Sequence, residues 1–203
     1  MIPIKLTIEG LYSYQNRQTI HFTDLIEAGL FGIFGAVGSG KSSILEAITF
    51  ALYGETERLN ARDKRTYNMM NLKSNRSYIE FDFEVGSNIY RATREFKRNS
   101  KRFDDVKTPT VIFYEWKNES WLPLEHSNSE LLLGLSYENF KRTIIIPQGQ
   151  FKEFIELGAK DRTQMMKEIF SLQRFDLQDK VAQLNSENLT KLNQLEGKLS
   201  GFE

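Results

Sequence analysis

Lys41 and Ser42 end the run "GAVGSGKS", Gly35 to Ser42, which fits the spacing G-x-x-x-x-G-K-[ST]. Residues of these types in this order hold phosphates. Glycines let successive backbone N–H groups turn inward and form an anion nest. A helix starting at the lysine presents its positive end to the same charge. Lys41 can reach the β and γ phosphates, and the Ser42 hydroxyl can ligate magnesium. The candidate nucleotide-binding residues are therefore Gly35, Ala36, Val37, Gly38, Ser39, Gly40, Lys41, Ser42 and Ser43, with Ser43 read as a helix-face residue.

Such a loop needs a strand before it and a helix after it. "GLFGIFG", Gly29 to Gly35, reads as a strand buried on both faces. Ile44, Leu45, Ile48, Ala51 and Leu52 recur at helical spacing, and Gly54 is placed to cap that helix. Upstream, Ile2, Ile4, Leu6 and Ile8 alternate with polar residues, and "TIHF" resumes after a turn-rich stretch, so a hairpin is expected. Downstream, Ile79 to Val85 alternates, "GSN" turns the chain into "IYRATREF", and Thr110 to Trp116 adds a third strand: an antiparallel meander. "SNSELLLGL" and "SYENFKR" read as short capped helices, and "TIIIP", Thr143 to Pro147, as a buried strand.

From Asp161 the chain reads as helix to its end, with Asp161 as a cap. Leu177, Val181, Leu184, Asn188, Leu192, Leu195, Leu199 and Phe202 follow a coiled-coil seam with one stutter. A polar helix of this kind needs a partner strand.

Composition narrows the function classes. With 40% hydrophobic and 27% charged residues, the 203-residue chain reads as an ordinary soluble protein. Zero formal net charge gives no global case for nucleic acid. The absence of cysteine excludes disulfides, thiolate zinc sites and cysteine nucleophiles. No charge-free apolar stretch approaches the ~20 residues of a membrane helix, and no signal-peptide core is present, so a cytoplasmic, membrane-free protein is expected. His21 and His126 lie apart from any ligand-type cluster.

What completes hydrolysis is harder to find. A Walker B strand should end in Asp, but "TVIFYEW" ends its apolar run at Glu115 and belongs to the meander. The GTPase motifs N-K-x-D and D-x-x-G are missing. Gln148 follows the "TIIIP" run, and on spacing alone it is an ordinary loop glutamine.

In combination, "GLFGIFGAVGSGKSSILEAITFALYGETERL", "RTIIIPQGQFKEFI" and the coiled-coil exit after "KDRTQMMKEIFSL" resemble the N-terminal half of SbcC-type subunits, in the SMC-like group of DNA-repair ATPases. The resemblance runs from Ile4 to about Asp176 and implies an α/β P-loop NTPase fold, the N-terminal lobe of an ABC-type SMC-like head, with a mixed sheet and an antiparallel meander. It implies residues 1–160 as the lobe, 161–203 as the start of the coil, and a C-terminal lobe elsewhere. It assigns Gln148 to magnesium, water and closure sensing, and makes Lys41 and Gln148 the catalytic pair, with Ser42 and Gln148 as metal ligands. ATP and Mg²⁺ are the implied cofactors. The implied partners are the chain's own C-terminal lobe, a second head in a homodimer, an SbcD-type nuclease and double-stranded DNA ends, in a nucleoid-associated setting. "LSGF" at Leu199 to Phe202 lacks the second glycine of a signature motif and lies on the coil seam. Val37 stands where some relatives carry a polar side chain, and Tyr12 where some carry a nucleotide-contacting arginine.

Two basic clusters break the overall neutrality: Arg58 to Arg76, and Arg91 to Lys107. "FKRNSKRF" is the expected hairpin tip, and Lys97, Arg98, Lys101 and Arg102 are its candidate DNA contacts, against the plainer reading of a solvated loop. Met165, Met166, Ile169, Phe170, Leu172 and Phe175 either pack on the head or form a nuclease-docking face. Two other functions compete: an SMC-like DNA tether with no nuclease, and a stand-alone P-loop kinase.

Overall fold

The computed structural model describes residues 1–56, 68–99, 101–102, 105–107, 109–145, 156–170, 172–175 and 177–200. Two compact units divide the chain, Met1–Glu153 and Phe154–Glu203.

The first unit is built on one six-stranded sheet. Its strands are β1 (Ile2–Glu9), β2 (Gln18–His21), β3 (Arg76–Val85), β4 (Asn88–Lys97), β5 (Thr110–Lys117) and β6 (Ser120–Pro123). They lie in the order β2-β1-β3-β4-β5-β6, and every pairing is antiparallel. Period-two alternation sends Leu6, Ile8, Ile79, Phe81, Phe83, Ala92, Phe96 and Phe113 to one face, all buried. Helix α2 (Lys41–Tyr53) covers that face with Ile44, Ala47, Ile48, Phe50, Ala51 and Leu52. Phe50 meets Phe96 edge-on at 5.8 Å between centroids. Burying a side chain of this size contributes about 1.5–3 kcal/mol.

The other face is a charge ladder. Lys5 reaches Glu80 at 2.9 Å and Asp82 at 3.2 Å. Arg91 grips Asp82 through both its Nε (2.6 Å) and Nη2 (2.8 Å), and its guanidinium lies 4.0 Å from the Trp121 ring centroid. Tyr78 donates to Glu80 at 2.8 Å. Burial pushes the Glu80 carboxyl up, but hydrogen bonds from Lys5 and Tyr78 and the nearby Arg91 charge outweigh it, so its pKa ends below the usual value.

The β1–β2 hairpin, the meander and the short capped helices form as expected. α3 (Ser129–Leu133) is capped by Asn128, whose side chain accepts from the Glu130 and Leu131 amides. α4 (Tyr137–Thr143) is capped by Ser136, which accepts from Asn139. A short helix α1 (Thr23–Ile26) follows β2.

Several expectations change. β6 was not read from the sequence. It returns through Asn118 and Glu119, both at positive φ (51° and 58°), and sets Trp121 against Trp116 at 5.0 Å between centroids. A bulge between Pro3 and Lys5 breaks the β1 alternation and leaves Ile2 exposed. Thr143 ends α4 rather than opening a strand, because its hydroxyl bonds to Asn139 O at 2.6 Å and the Ile144 amide closes the helix on Phe140 O. The apolar run from Gly29 to Gly35 is not a strand: no strand lies beside it among the described residues, and Leu30, Phe31, Ile33 and Phe34 are exposed.

The second unit holds α5 (Ala159–Ile169), a 3-10 turn (Leu172–Phe175) and α6 (Gln178–Leu199). The helix expected to run unbroken from Asp161 therefore stops and restarts, and Asp161 lies in the first turn of α5 instead of capping it. No proline or glycine marks the break in the sequence. Leu177, just before α6, and Val181, Leu184, Leu192, Leu195 and Leu199 along it are all exposed. Phe202 lies outside the described residues.

Candidate phosphate-binding site

The chain leaves Phe34 in irregular backbone, turns at Ser39 (N–H to Ala36 O, 3.2 Å) and enters α2 at Lys41. Gly38 (φ 83°) and Gly40 (φ 92°) both adopt the left-handed conformation. At Gly40 a side chain is excluded twice over: by that φ, and by space. A Cβ there would overlap Ser13 Oγ and come within 2.9 Å of the Tyr14 ring. The loop is thus curled by glycine and backed by the Ser13–Tyr14 turn.

Lys41 folds back across this loop. Its Nζ donates to Gly35 O and Ala36 O, each at 2.8 Å. Ser42 is exposed on the first turn of α2, while Ser43 is buried on its inner side, as a helix-face residue would be. Val37 points entirely to solvent. The first-turn amides of a helix have no intrahelical acceptor. A cavity of about 320 Å³ opens there, between Tyr12–Ser13 on one side and Gly38, Gly40 and Lys41–Ser43 on the other. A second cavity of about 430 Å³ shares the Tyr12–Ser13 wall and is bounded by Gln15 and the segment from Asn68 to Lys73.

The far end of α2 is fixed to the sheet. Gly54 (φ 72°) caps the helix by donating to Phe50 O. Arg94 on β4 donates from Nε to Ala51 O (2.9 Å) and from Nη2 to Leu52 O (3.0 Å). Ser129 adds a bond to Leu52 O at 2.6 Å. Burial lowers the Arg94 pKa to about 10, which still leaves it cationic at neutral pH, where it complements the negative end of the helix dipole. Tyr53 donates to Leu135 O at 2.9 Å and packs on Phe140 and Tyr137.

The structure therefore brings together the loop residues read from the sequence. Tyr12, already singled out by its position, forms one wall with Ser13. Ser13, Tyr14 behind Gly40 and Arg94 as the distal clamp are additions that no motif announces. The signal for Tyr14 is its place in the turn-rich segment just after β1, which the fold brings against Gly40. Gln148 lies outside the described residues, as do Arg58, Arg62, Lys64 and Arg65. Glu115, the Walker B look-alike, sits in β5 and is paired with Lys117 at 2.8 Å. At the meander tip, Lys97, Lys101 and Arg102 are exposed, but Arg98 is buried and directed at Ser74 O and Asn71 O. His21 and His126 are exposed, and no metal-type cluster of His, Asp and Glu occurs among the described residues. No described helix is long and apolar enough to cross a membrane.

The family described as "AAA domain" matches residues 5–203. The chain is 36% identical over 214 aligned residues to the SbcC subunit of the SbcCD nuclease of Clostridium acetobutylicum, covering all of this chain and 18% of that protein. It is 39% identical to the Bacillus subtilis protein of the same name, covering 86% of this chain and 16% of that one. A probable DNA double-strand break repair Rad50 ATPase of Aquifex aeolicus is 32% identical over 95% of this chain and 18% of its own length. The chain thus spans about a fifth of the length of these relatives. A solved SMC head domain from Thermotoga maritima aligns over 62% of this chain and 39% of that one, at 23% identity and a TM-score of 0.37.

Proposed function

Because the chain belongs to the AAA domain family, alongside SbcC- and Rad50-type ATPases, we propose that residues Gly35–Ser43 bind Mg-ATP for an SbcC-type subunit that processes DNA ends. The observation that carries this reading is the Lys41 ammonium, held 2.8 Å from two carbonyls inside a glycine-curled loop at a helix start. Phosphate oxygens carry formal negative charge and outcompete neutral carbonyls for that ammonium. The unpaired first-turn amides and the helix dipole add to the attraction. Ser42, exposed at the same end, offers its hydroxyl to the metal. The neighbouring cavity beyond Tyr12 and Ser13 takes the nucleoside. Bound ATP supplies the phosphoanhydride, and Mg²⁺ supplies charge neutralisation; Gln148 is assigned to metal and water by family resemblance alone.

Hydrolysis in this account requires groups from a second lobe. Two features support that. The exposed apolar run from Leu30 to Phe34 offers backbone and side chains to further strands. The exposed seam of α6 calls for an antiparallel partner helix. Head-to-head dimerisation, an SbcD-type nuclease and duplex DNA ends complete the assembly. The test is equilibrium binding of Mg-ATP to the chain and to Lys41→Ala. A charge-assisted contact of this kind contributes about 1.5–3 kcal/mol, so the variant should bind at least about tenfold more weakly. Equal affinity would remove the reading.

A further inference from the structure

Tyr14 belongs to no motif, yet it touches the phosphate loop directly. Its hydroxyl donates to Gly40 O at 3.2 Å, and its ring closes the space where a Gly40 side chain would stand. The tight turn that carries it is pinned from both sides. Leu11 and Tyr14 exchange backbone bonds of 3.1 and 2.8 Å, and Tyr12 donates to Met69 O at 2.7 Å while its own carbonyl accepts from Asn71 Nδ2 at 2.6 Å. Tyr12 holds φ at 46°, a conformation that an L residue keeps only when its surroundings enforce it. Tyr14 is thus a fixed post, and burial raises its pKa, so its hydroxyl stays a donor across the physiological range.

The consequence follows from peptide geometry. The Gly40–Lys41 peptide is trans and planar, so its C=O and N–H point in opposite directions. A donor fixed on Gly40 O therefore sets where the Lys41 N–H points. Lys41 opens α2, and its amide is among the first-turn groups without an intrahelical acceptor. The flanking Gly40 is the residue in this stretch with the greatest freedom to rotate that plane.

We propose that Tyr14 is a positioning residue of the phosphate loop: by bonding Gly40 O, it holds the Lys41 backbone N–H in the orientation that receives a phosphate oxygen. The proposal rests on the phosphate-loop reading and specifies how that loop is kept preorganised without a ligand's help. Tyr14 touches the loop and acts through it on the phosphates.

Tyr14→Phe keeps the ring and removes the donor. In the 203-residue chain, affinity should be measured for Mg-ATP and for Mg-tripolyphosphate, which lacks the nucleoside, with Lys41→Ala in parallel. The proposal expects Tyr14→Phe to weaken both ligands by the same factor, about three- to tenfold, as for loss of one hydrogen bond. The melting temperature should change little, and in the ligand-free protein the Lys41 amide resonance should shift. Unchanged affinity for both ligands, with Lys41→Ala still defective, overturns the proposal and leaves the loop assignment standing. A loss confined to ATP also overturns it, because the hydroxyl would then serve the nucleoside. If Lys41→Ala binds both ligands as well as the parent chain does, the phosphate-loop reading itself fails. Should Tyr14→Phe fold poorly, Tyr14→His restores a ring donor, and the proposal expects a folded His variant to bind tripolyphosphate within about threefold of the parent chain; a loss of about tenfold or more in that variant counts against the proposal.

Discussion

Arg94 shows how much one buried cation does for a site some way off. It ties two C-terminal carbonyls of the phosphate-loop helix to strand β4, and it takes the place of water at a helix end that the core would otherwise leave without donors. Arg94→Met keeps most of the apolar volume and deletes the donors. The buried carbonyl oxygens then lose partners, at a cost of about 1–3 kcal/mol, to be read as a lower urea midpoint with an unchanged m-value. Lysine at the same position has the charge but not the forked geometry, so Arg94→Lys should recover only part of the loss. None of this was visible in the sequence, where Arg94 is one cation in a basic run. Lys41 and Ser42 were visible, because the chemistry of phosphate fixes both their types and their spacing.

At the scale of elements, the sheet's outer face carries its own pH dependence. The folded Glu80 carboxyl titrates below its ordinary range, so it contributes stability above that range and loses it as pH falls through the lowered value. Glu80→Gln should therefore melt lower at pH 7, yet lose less on acidification from about pH 5 to 3 than the parent chain. A parallel pair of melting curves against pH would contradict the ladder's role. The strands of this ladder were legible because alternation survives wherever one face is buried. β6 was not, because its turn is Asn118–Glu119 rather than Asn-Gly, and only the Trp116–Trp121 pairing reveals why the turn holds. The run from Gly29 to Gly35 has the composition of a strand buried on both faces, but strand formation needs neighbours, and composition does not say whether they are present. The stop between α5 and α6 is likewise unmarked, since no helix breaker sits there.

The whole molecule is neutral, so any attraction to DNA must be local. Of the candidate DNA contacts at the meander tip, Lys97 (which also reaches Glu95 at 3.2 Å), Lys101 and Arg102 are exposed; Arg98 is occupied within the fold. Reversing those three charges should weaken duplex binding and lower the salt slope by up to about three, at about 0.9 per phosphate contact. An unchanged slope would leave the tip a solvated loop. On this scale the chain also shows two apolar surfaces without cover among the described residues, the Leu30–Phe34 run and the α6 seam, each in its own unit.

The central claim is that this loop grips a triphosphate whose hydrolysis is finished by groups from another lobe. Its most direct test follows γ-labelled ATP incubated with the purified 203-residue chain. The account predicts that the label is retained on the protein as intact ATP, with negligible phosphate release, and that Lys41→Ala retains at least about tenfold less at ATP concentrations below the parent chain's Kd. Rapid, repeated phosphate release by the chain alone, abolished by Lys41→Ala, would contradict it.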